Sequence, residues 1–464
     1  MEENKIEELK KKLFCQRTHG RQKVSEEELV QADQFCEGYK QYLNHAKTER
    51  EAVKEAVKLA QAAGFQPFEK GARYQSGDRF YINNRGKSAA FVVLGRQDAS
   101  AGMHIGAAHI DSPRLDLKPN PLYEEIELAL LKTRYYGGIR KYQWAVMPLA
   151  LHGVFVKKDG SVIEVSIGEK EDEPCFVIND LLPHLAQEQN KRSLGDGIKG
   201  EELNVLVGSH PFKSDKGSEL VKLNILSILF EKYGVTESDF LSAELELVPA
   251  YPARDIGFDR SMIGAYGHDD RVCAYPALMA CLEAKMPEKT VICVLADKEE
   301  TGSDGNTGLN SQFLEYVISD IARMQGVEPD DAKRASCCLS ADVNSAVDPT
   351  FQDVSEKRNA SFLNYGVVIT KYTGSRGKGG TSDASAEYMG KIRAMLDKAG
   401  VLWQIGELGK VDLGGGGTVA KYIANLGIDV VDVGVPVLSM HAPFETVAKL
   451  DVFMAYRAMQ AFFQ

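Results

Sequence analysis

No run of 18 apolar residues occurs in this 464-residue chain, so no segment is expected to span a membrane. The eight cysteines, Cys15, Cys36, Cys175, Cys273, Cys281, Cys293, Cys337 and Cys338, include no CxxC pair. Cys293, Cys337 and Cys338 sit inside apolar runs, which suits reduced, buried thiols rather than a disulfide framework or a thiolate metal site. Basic charge is also short. The 55 Lys and Arg residues against 66 Asp and Glu leave a net charge of −11. Phosphate backbones need clustered cations, so a general nucleic-acid binder is disfavoured. The glycine clusters at Gly377–Gly380 and Gly414–Gly417 lack GxGxxG and GxxxxGK[ST], which disfavours a nucleotide-phosphate loop. The opening MEENKIEELKKKLF has neither an apolar core nor a small-residue cleavage site, so no secretory signal is read there and a cytoplasmic location is expected. Internal repeats and low-complexity tracts are missing too.

What is present is ordinary globular material, 44% hydrophobic and 26% charged. At about 150 residues per domain, the length suggests two to three domains. Ser25 followed by Glu28 forms a capping-box pattern ahead of a long helix. Ala89–Gly95 and Met103–Ile110 are short apolar runs that read as strands buried on both faces. From about residue 120 to 250 the pattern turns to period two, with a Lys158–Asp159–Gly160 hairpin turn and one helix near Glu219–Tyr233.

After about residue 255, strands expected at Thr290–Ala296, Ala335–Val343, Tyr365–Tyr372 and Val430–Val435 alternate with helices. Those helices are expected at Arg271–Ala284, Gly308–Met324, Ser382–Ala399, Thr418–Leu426 and Val447–Phe463. This alternation argues an α/β fold with a mostly parallel sheet, helices covering both faces. The expected division is a discontinuous catalytic domain, 1–119 and 255–464, interrupted by a smaller β-rich insert, 120–254.

Five short motifs follow apolar runs directly: His109-Ile110-Asp111, His268-Asp269-Asp270-Arg271, Asp297-Lys298-Glu299-Glu300, Ser340-Ala341-Asp342 and Ser439-Met440-His441. Functional groups in open α/β sheets collect beyond the carboxyl ends of strands, and a charge placed there is costly unless paired or metal-bound. Singly, each motif has a plainer explanation as a helix cap or a solvated acid. Five such motifs at five strand ends, in an order one sheet could gather, are hard to obtain by chance.

Asp269, Glu300 and Asp342 carry −3 when ionised, which two divalent cations and one hydroxide would balance. His109 and His441 would add neutral nitrogen donors. Such a set without thiolate suits Zn²⁺, with Mn²⁺ or Co²⁺ as alternatives. Of the adjacent Glu299 and Glu300, one can bind metal while the other stays free as a base. Asp111, two residues beyond His109, can accept its imidazole N–H and fix the tautomer.

AHIDSPRLDLKP (Ala108–Pro119), DKEETGS (Asp297–Ser303), SADVNSAVDP (Ser340–Pro349) and LGIDVVDVGVPVLSMHAPFE (Leu426–Glu445) resemble the aspartyl aminopeptidase / aminopeptidase I family of dizinc metallopeptidases. YYGG (Tyr135–Gly138) and LLPHLA (Leu181–Ala186) fit the same pattern. The resemblance extends from about residue 60 to 464. It implies a zinc-exopeptidase-like fold and a metalloaminopeptidase that removes the N-terminal residue of peptides with a free N-terminus.

By the same resemblance, His109, Asp269, Glu300, Asp342 and His441 would be metal ligands, with Asp269 as the bridge. Glu299 would be the general base and Asp111 the orienting partner of His109. His184 would be a histidine of the insert acting on substrate, in its own or a neighbouring subunit. The resemblance also implies a homo-oligomer, a tetrahedral dodecamer, with the insert making dimer contacts. Arg376 and Lys378 lie where a pocket for an acidic first side chain could form. The family often has Asp-Asn where this chain has Asp269-Asp270, and a cysteine-containing turn where it has Gly414–Gly417. The alternatives are another dinuclear metallohydrolase, such as a carboxypeptidase or deacylase, and a catalytically inactive self-assembling scaffold.

Overall fold

The computed structural model describes residues 2–15, 17–214 and 216–464, with side chains from Lys5 onward. Among these residues no helix is long and apolar enough to cross a membrane. The principal sheet has nine strands. Their spatial order is Gln66–Pro67, Arg79–Asn84, Ser88–Val93, Thr290–Ala296, Met103–His109, Cys337–Ser340, Asp429–Gly434, Val367–Thr370 and Trp403–Ile405.

The four strands from Thr290–Ala296 to Asp429–Gly434 run parallel to one another. Ser88–Val93 and Val367–Thr370 flank them antiparallel. The α/β class expected from the sequence holds, while the sheet is mixed, with its parallel pairing concentrated at the centre. The antiparallel flanks escape a reading based on strand-helix alternation, because strand direction is set by connections that leave no periodic trace.

The central strands are buried along most of their length because both faces are covered. In Thr290–Ala296, Val291, Cys293 and Leu295 face one core while Ile292, Val294 and Ala296 face the other. The first core is roofed by helices Glu26–His45, Glu49–Ala62, His268–Glu283, Ala386–Lys398 and Lys449–Phe462. The second lies under Phe313–Met324, Pro329–Ala335 and Ala420–Ala424. The Ser25 capping box forms as the sequence predicts, with Ser25 Oγ accepting from Glu28 N. A second box, Thr48 with Glu51, starts the next helix.

Residues between Arg114 and Pro249 build a separate seven-stranded antiparallel sheet with its own core around Trp144, Phe155 and Leu247. Its first strand, Arg114–Glu125, begins five residues after His109 and runs through the expected boundary at 119/120. The Lys158–Asp159–Gly160 turn joins two of its strands, with Gly160 at φ 84°.

A third, five-stranded sheet was not expected. It orders Arg254–Ile256, Met262–Ala265, Glu445–Ala448, Pro436–Leu438 and Asn344–Ser345. Two of its strands continue chains that leave the principal sheet, after Ser340 and after Gly434. Strands of two to four residues are too short for a period to register.

Candidate metal centre

The small sheet meets the end of the principal sheet, and the five motifs converge at that junction. Three follow principal-sheet strands: His109, Glu299-Glu300 and Asp342. The other two, His268–Arg271 and His441, follow strands of the small sheet, so the gathering needs two sheets rather than the single one expected.

Asp269 lies at the centre. Its Oδ1 is 3.1 Å from His109 Nε2 and its Oδ2 is 3.1 Å from His441 Nε2. Asp342 Oδ1 and Glu299 Oε2 each lie 3.8 Å from His109 Nε2, and Glu300 Oε1 lies 3.6 Å from His441 Nε2. Three overlapping groups bring donor atoms within 4.8 Å of one another: His109, Asp270 and Asp342; His109, Glu299 and Glu300; Asp269, Glu300 and His441.

Both imidazoles are oriented through their far nitrogens. His109 Nδ1 reaches the Asp111 carbonyl at 3.0 Å and its Oδ1 at 3.2 Å. His441 Nδ1 lies 2.8 Å from the Gly138 carbonyl. Since neither carbonyl can donate, each Nδ1 carries a proton, which leaves Nε2 as the ring atom able to serve as a metal donor once its own proton is displaced. Glu445 pins two ligand-bearing segments at once. Its carboxylate accepts from Asp269 N at 3.1 Å and from His441 N at 2.8 Å.

The cluster crowds negative charge into a dry place. Burial pushes Glu299 up to about 8, with Asp342, Asp269 and Asp111 adding to the rise against the pull of His109. Burial also raises Asp342 and carries Glu300 well above the usual carboxylate range. Burial would raise Asp269 as well, but its contacts to His109 and His441 hold it well below that range. His109 Nε2 and Glu300 Oε1 are buried without any hydrogen-bond partner. Unmet buried polar atoms are rare. Two of them facing one acid-rich hollow, among imidazole and carboxylate donors with no thiolate, fit a hard or borderline divalent cation.

His268 turns away from the hollow. Its Nδ1 accepts from Tyr39 O–H at 2.8 Å, its Nε2 donates to the Ile263 carbonyl at 3.1 Å, and burial lowers its pKa to about 3. His184 stands exposed on the surface turn Pro183–Leu185 and does not line the cavity of its own chain.

That cavity, about 820 Å³, opens from the cluster and is walled by the two glycine-rich segments. Arg376 and Lys378 line it, together with Lys410, Glu407 and Asp432. Lys378 is held by Asp383 at 2.6 Å and lies 3.9 Å from the centroid of the Tyr372 ring. Asp270, Asp432, Tyr136 and Glu445 were missed as site residues. Tyr136 and Glu445 belong to motifs quoted above, but no spacing rule marked them. Asp432 sits mid-strand, where nothing distinguishes a cavity-lining acid from an edge residue.

Residues 42–463 match the family described as Aminopeptidase I zinc metalloprotease (M18). The chain belongs to this family. It is 47% identical over 449 residues to a probable M18 family aminopeptidase 1 of Clostridium acetobutylicum, covering 95% of this chain and 96% of that one. It is 47% identical over 433 residues to the Thermotoga maritima counterpart, with coverage of 92% and 95%. The solved structure of the M18 aminopeptidase from Thermotoga maritima superposes with a TM-score of 0.93 at 45% identity, over 97% of this chain and all of that one. At 20% identity the S. cerevisiae mApe1 dodecamer shares the fold, with a TM-score of 0.75 over 94% of this chain and 97% of that one. This M18 aminopeptidase is therefore a metal-dependent hydrolase that releases the N-terminal residue of peptides, from a family of zinc enzymes.

Proposed function

We propose that this M18 aminopeptidase holds a pair of divalent ions, zinc first, with manganese or cobalt as alternatives. His109, Asp269 and Asp342 would hold one, and His441, Asp269 and Glu300 the other. The observation that carries this reading is the span of Asp269, whose two oxygens lie 3.1 Å from two different imidazoles. When bound, such a pair would polarise the scissile carbonyl and lower the pKa of a bound water.

The chain supplies the rest. Glu299 lies within 3.8 Å of His109 Nε2 and is left over once the ligands are assigned. It takes the proton from the attacking water and returns it to the leaving amine. Asp111 holds His109 in the tautomer that faces the cluster. Arg376 and Lys410, which make no ion pair among the described residues, are the cations available to an acidic first side chain, with Arg376 tested first, because Lys378 is already held by Asp383.

Residues 120–254 act in this reading as the unit that contacts a second copy and gates the cavity. Exposed Leu181, Leu182, Leu185 and Leu194 around His184 support a homo-oligomer, as does the dodecamer formed by the yeast relative. His184 would then serve the site of a neighbouring subunit.

Elemental analysis of the purified protein tests the centre. Two equivalents per chain are expected, falling in Asp269→Ala, and full metal content in that variant removes Asp269 as the bridge. A panel of aminoacyl chromogenic substrates reads the first-residue preference. Loss of acidic-substrate turnover in Arg376→Ala, with other substrates unaffected, is the expected pattern.

A further inference from the structure

The YYGG motif has no role in the chemistry described so far, yet the structure runs it through the metal centre. Tyr136 ends the strand Leu128–Tyr136 of the seven-stranded sheet, and Gly137 and Gly138 follow it. Tyr136 O–H donates to Asp111 Oδ2 at 2.8 Å. Gly138 offers the carbonyl that orients His441. One turn of the insert therefore touches the supports of both metal-binding histidines.

Of the two glycines, Gly137 is the constrained one. Gly137 has φ +73°, and a Cβ there would stand 3.0 Å from Glu300 Oε2. A Cβ on Gly138 would stand 3.4 Å from His441 Nδ1.

Asp111 is fully buried and satisfies four donors. His109 Nδ1 and Glu299 N reach its Oδ1, and Glu300 N and Tyr136 O–H reach its Oδ2. One carboxylate thus fixes a metal-binding imidazole and the backbone that carries both Glu299 and Glu300. Tyr136 is itself held from behind. The Arg114 guanidinium lies 4.1 Å from the centroid of its ring, and Arg114 is paired with Glu49, Glu246 and Asp116.

We infer that Tyr136 is a positioning residue for the metal centre, acting through Asp111, and that the Tyr136–Gly138 turn makes the insert a structural part of that centre. The inference rests on the ligand assignment proposed above. Without the phenol, Oδ2 keeps one donor in a place water does not reach. The carboxylate is then freer to rotate, and His109, Glu299 and Glu300 lose a common anchor.

The deciding measurement is the zinc dissociation constant of Tyr136→Phe, obtained by competition with a chromogenic chelator. Partners of metal ligands typically account for 10- to 100-fold in affinity or activity. A rise of at least about tenfold is expected, with a lower kcat at saturating zinc and a nearly constant KM. Tyr135→Phe is the control, since Tyr135 is exposed and its ring packs near Gly200. Zinc affinity in Tyr136→Phe within twofold of the parent overturns the inference, whatever happens to the melting temperature. Failure of the underlying reading looks different: the parent binds no zinc, or Asp269→Ala keeps its full complement. Gly137→Ala gives a second line, with weakened zinc binding expected and parental affinity counting against the turn's role.

Discussion

On one side of the cavity, His109 ends a strand, Asp269 opens a helix, and Glu300 and Asp342 lie just beyond strands. His109 and Asp269 are buried, Glu300 and Asp342 partly so, and Asp111 and Glu445 support the group. On the other side, glycine-rich segments meet through the two-residue pairing of Gly374–Ser375 with Gly415–Gly416. Ion pairs differ between the sides in the same sense. Behind the metal wall, Arg114 is buried against Glu49 and Glu246, and His152 bridges Glu51 and Glu169. Along the loop wall, Lys371 and Lys378 share Asp383 at the surface. The difference separates two tasks. Chemistry needs groups held to fractions of an ångström, while accepting varied first residues needs a wall that can be changed without disturbing the fold.

Substitutions on each side sharpen that contrast. Glu299→Gln has the largest expected effect, a fall in kcat of about 10²–10⁴ with metal content retained, the range for losing a general base. Normal turnover in that variant would remove Glu299 as the base. Arg114→Ala strands Glu246 and leaves Glu49 with Lys87 alone in a dry junction, and a loss of about 3–5 kcal/mol is expected in denaturant unfolding. A shift under about 1 kcal/mol would show that the buried network carries no more than a surface pair.

His152 gives a pH signature. Burial would depress it, but its hydrogen bonds to Glu169 and Glu51 raise it to about 9. Its contribution is fully present below the ordinary histidine range and is lost as pH rises through about 9. A loss of about 3.5 kcal/mol is expected over that interval, since folding raises the pKa from 6.5 to about 9 and each unit corresponds to about 1.4 kcal/mol. His152→Gln should flatten the dependence, and an unchanged pH profile would break the assignment. The smallest effect belongs to Lys378→Ala on the loop wall. Stability should move by less than about 1 kcal/mol, and a larger drop in melting temperature would erase the distinction between the walls.

The two walls were unequally legible in the sequence. Apolar runs ending in acids or histidines marked the proposed ligands, most sharply at the principal sheet, because a strand buried on both faces is continuous and its end is abrupt. Thr290–Ala296 was placed to the residue for that reason. The insert was visible through its period-two pattern, though Arg114–Glu125 starts earlier than its composition suggested. The small sheet could not be read, since Pro436–Leu438 and Asn344–Ser345 are shorter than any repeat. Tyr136 and Glu445 were invisible as supports. Their value comes from partners on other segments, Asp111 for one and the backbone of Asp269 and His441 for the other. Arg376 and Lys378 looked alike in sequence, and only the position of Asp383 distinguishes them.

The proposed ligands come from positions 109, 269, 300, 342 and 441, and they meet where two sheets join. Contacts so distant along the chain form slowly, because long loops must close before any of them can. An unfolded chain has no such meeting point, so ion capture follows assembly of the two sheets rather than guiding it. With ions bound as proposed, native molecules are drawn off by mass action, and resistance to unfolding climbs with the logarithm of free zinc. The protein's endurance is thereby tied to the zinc supply of its surroundings.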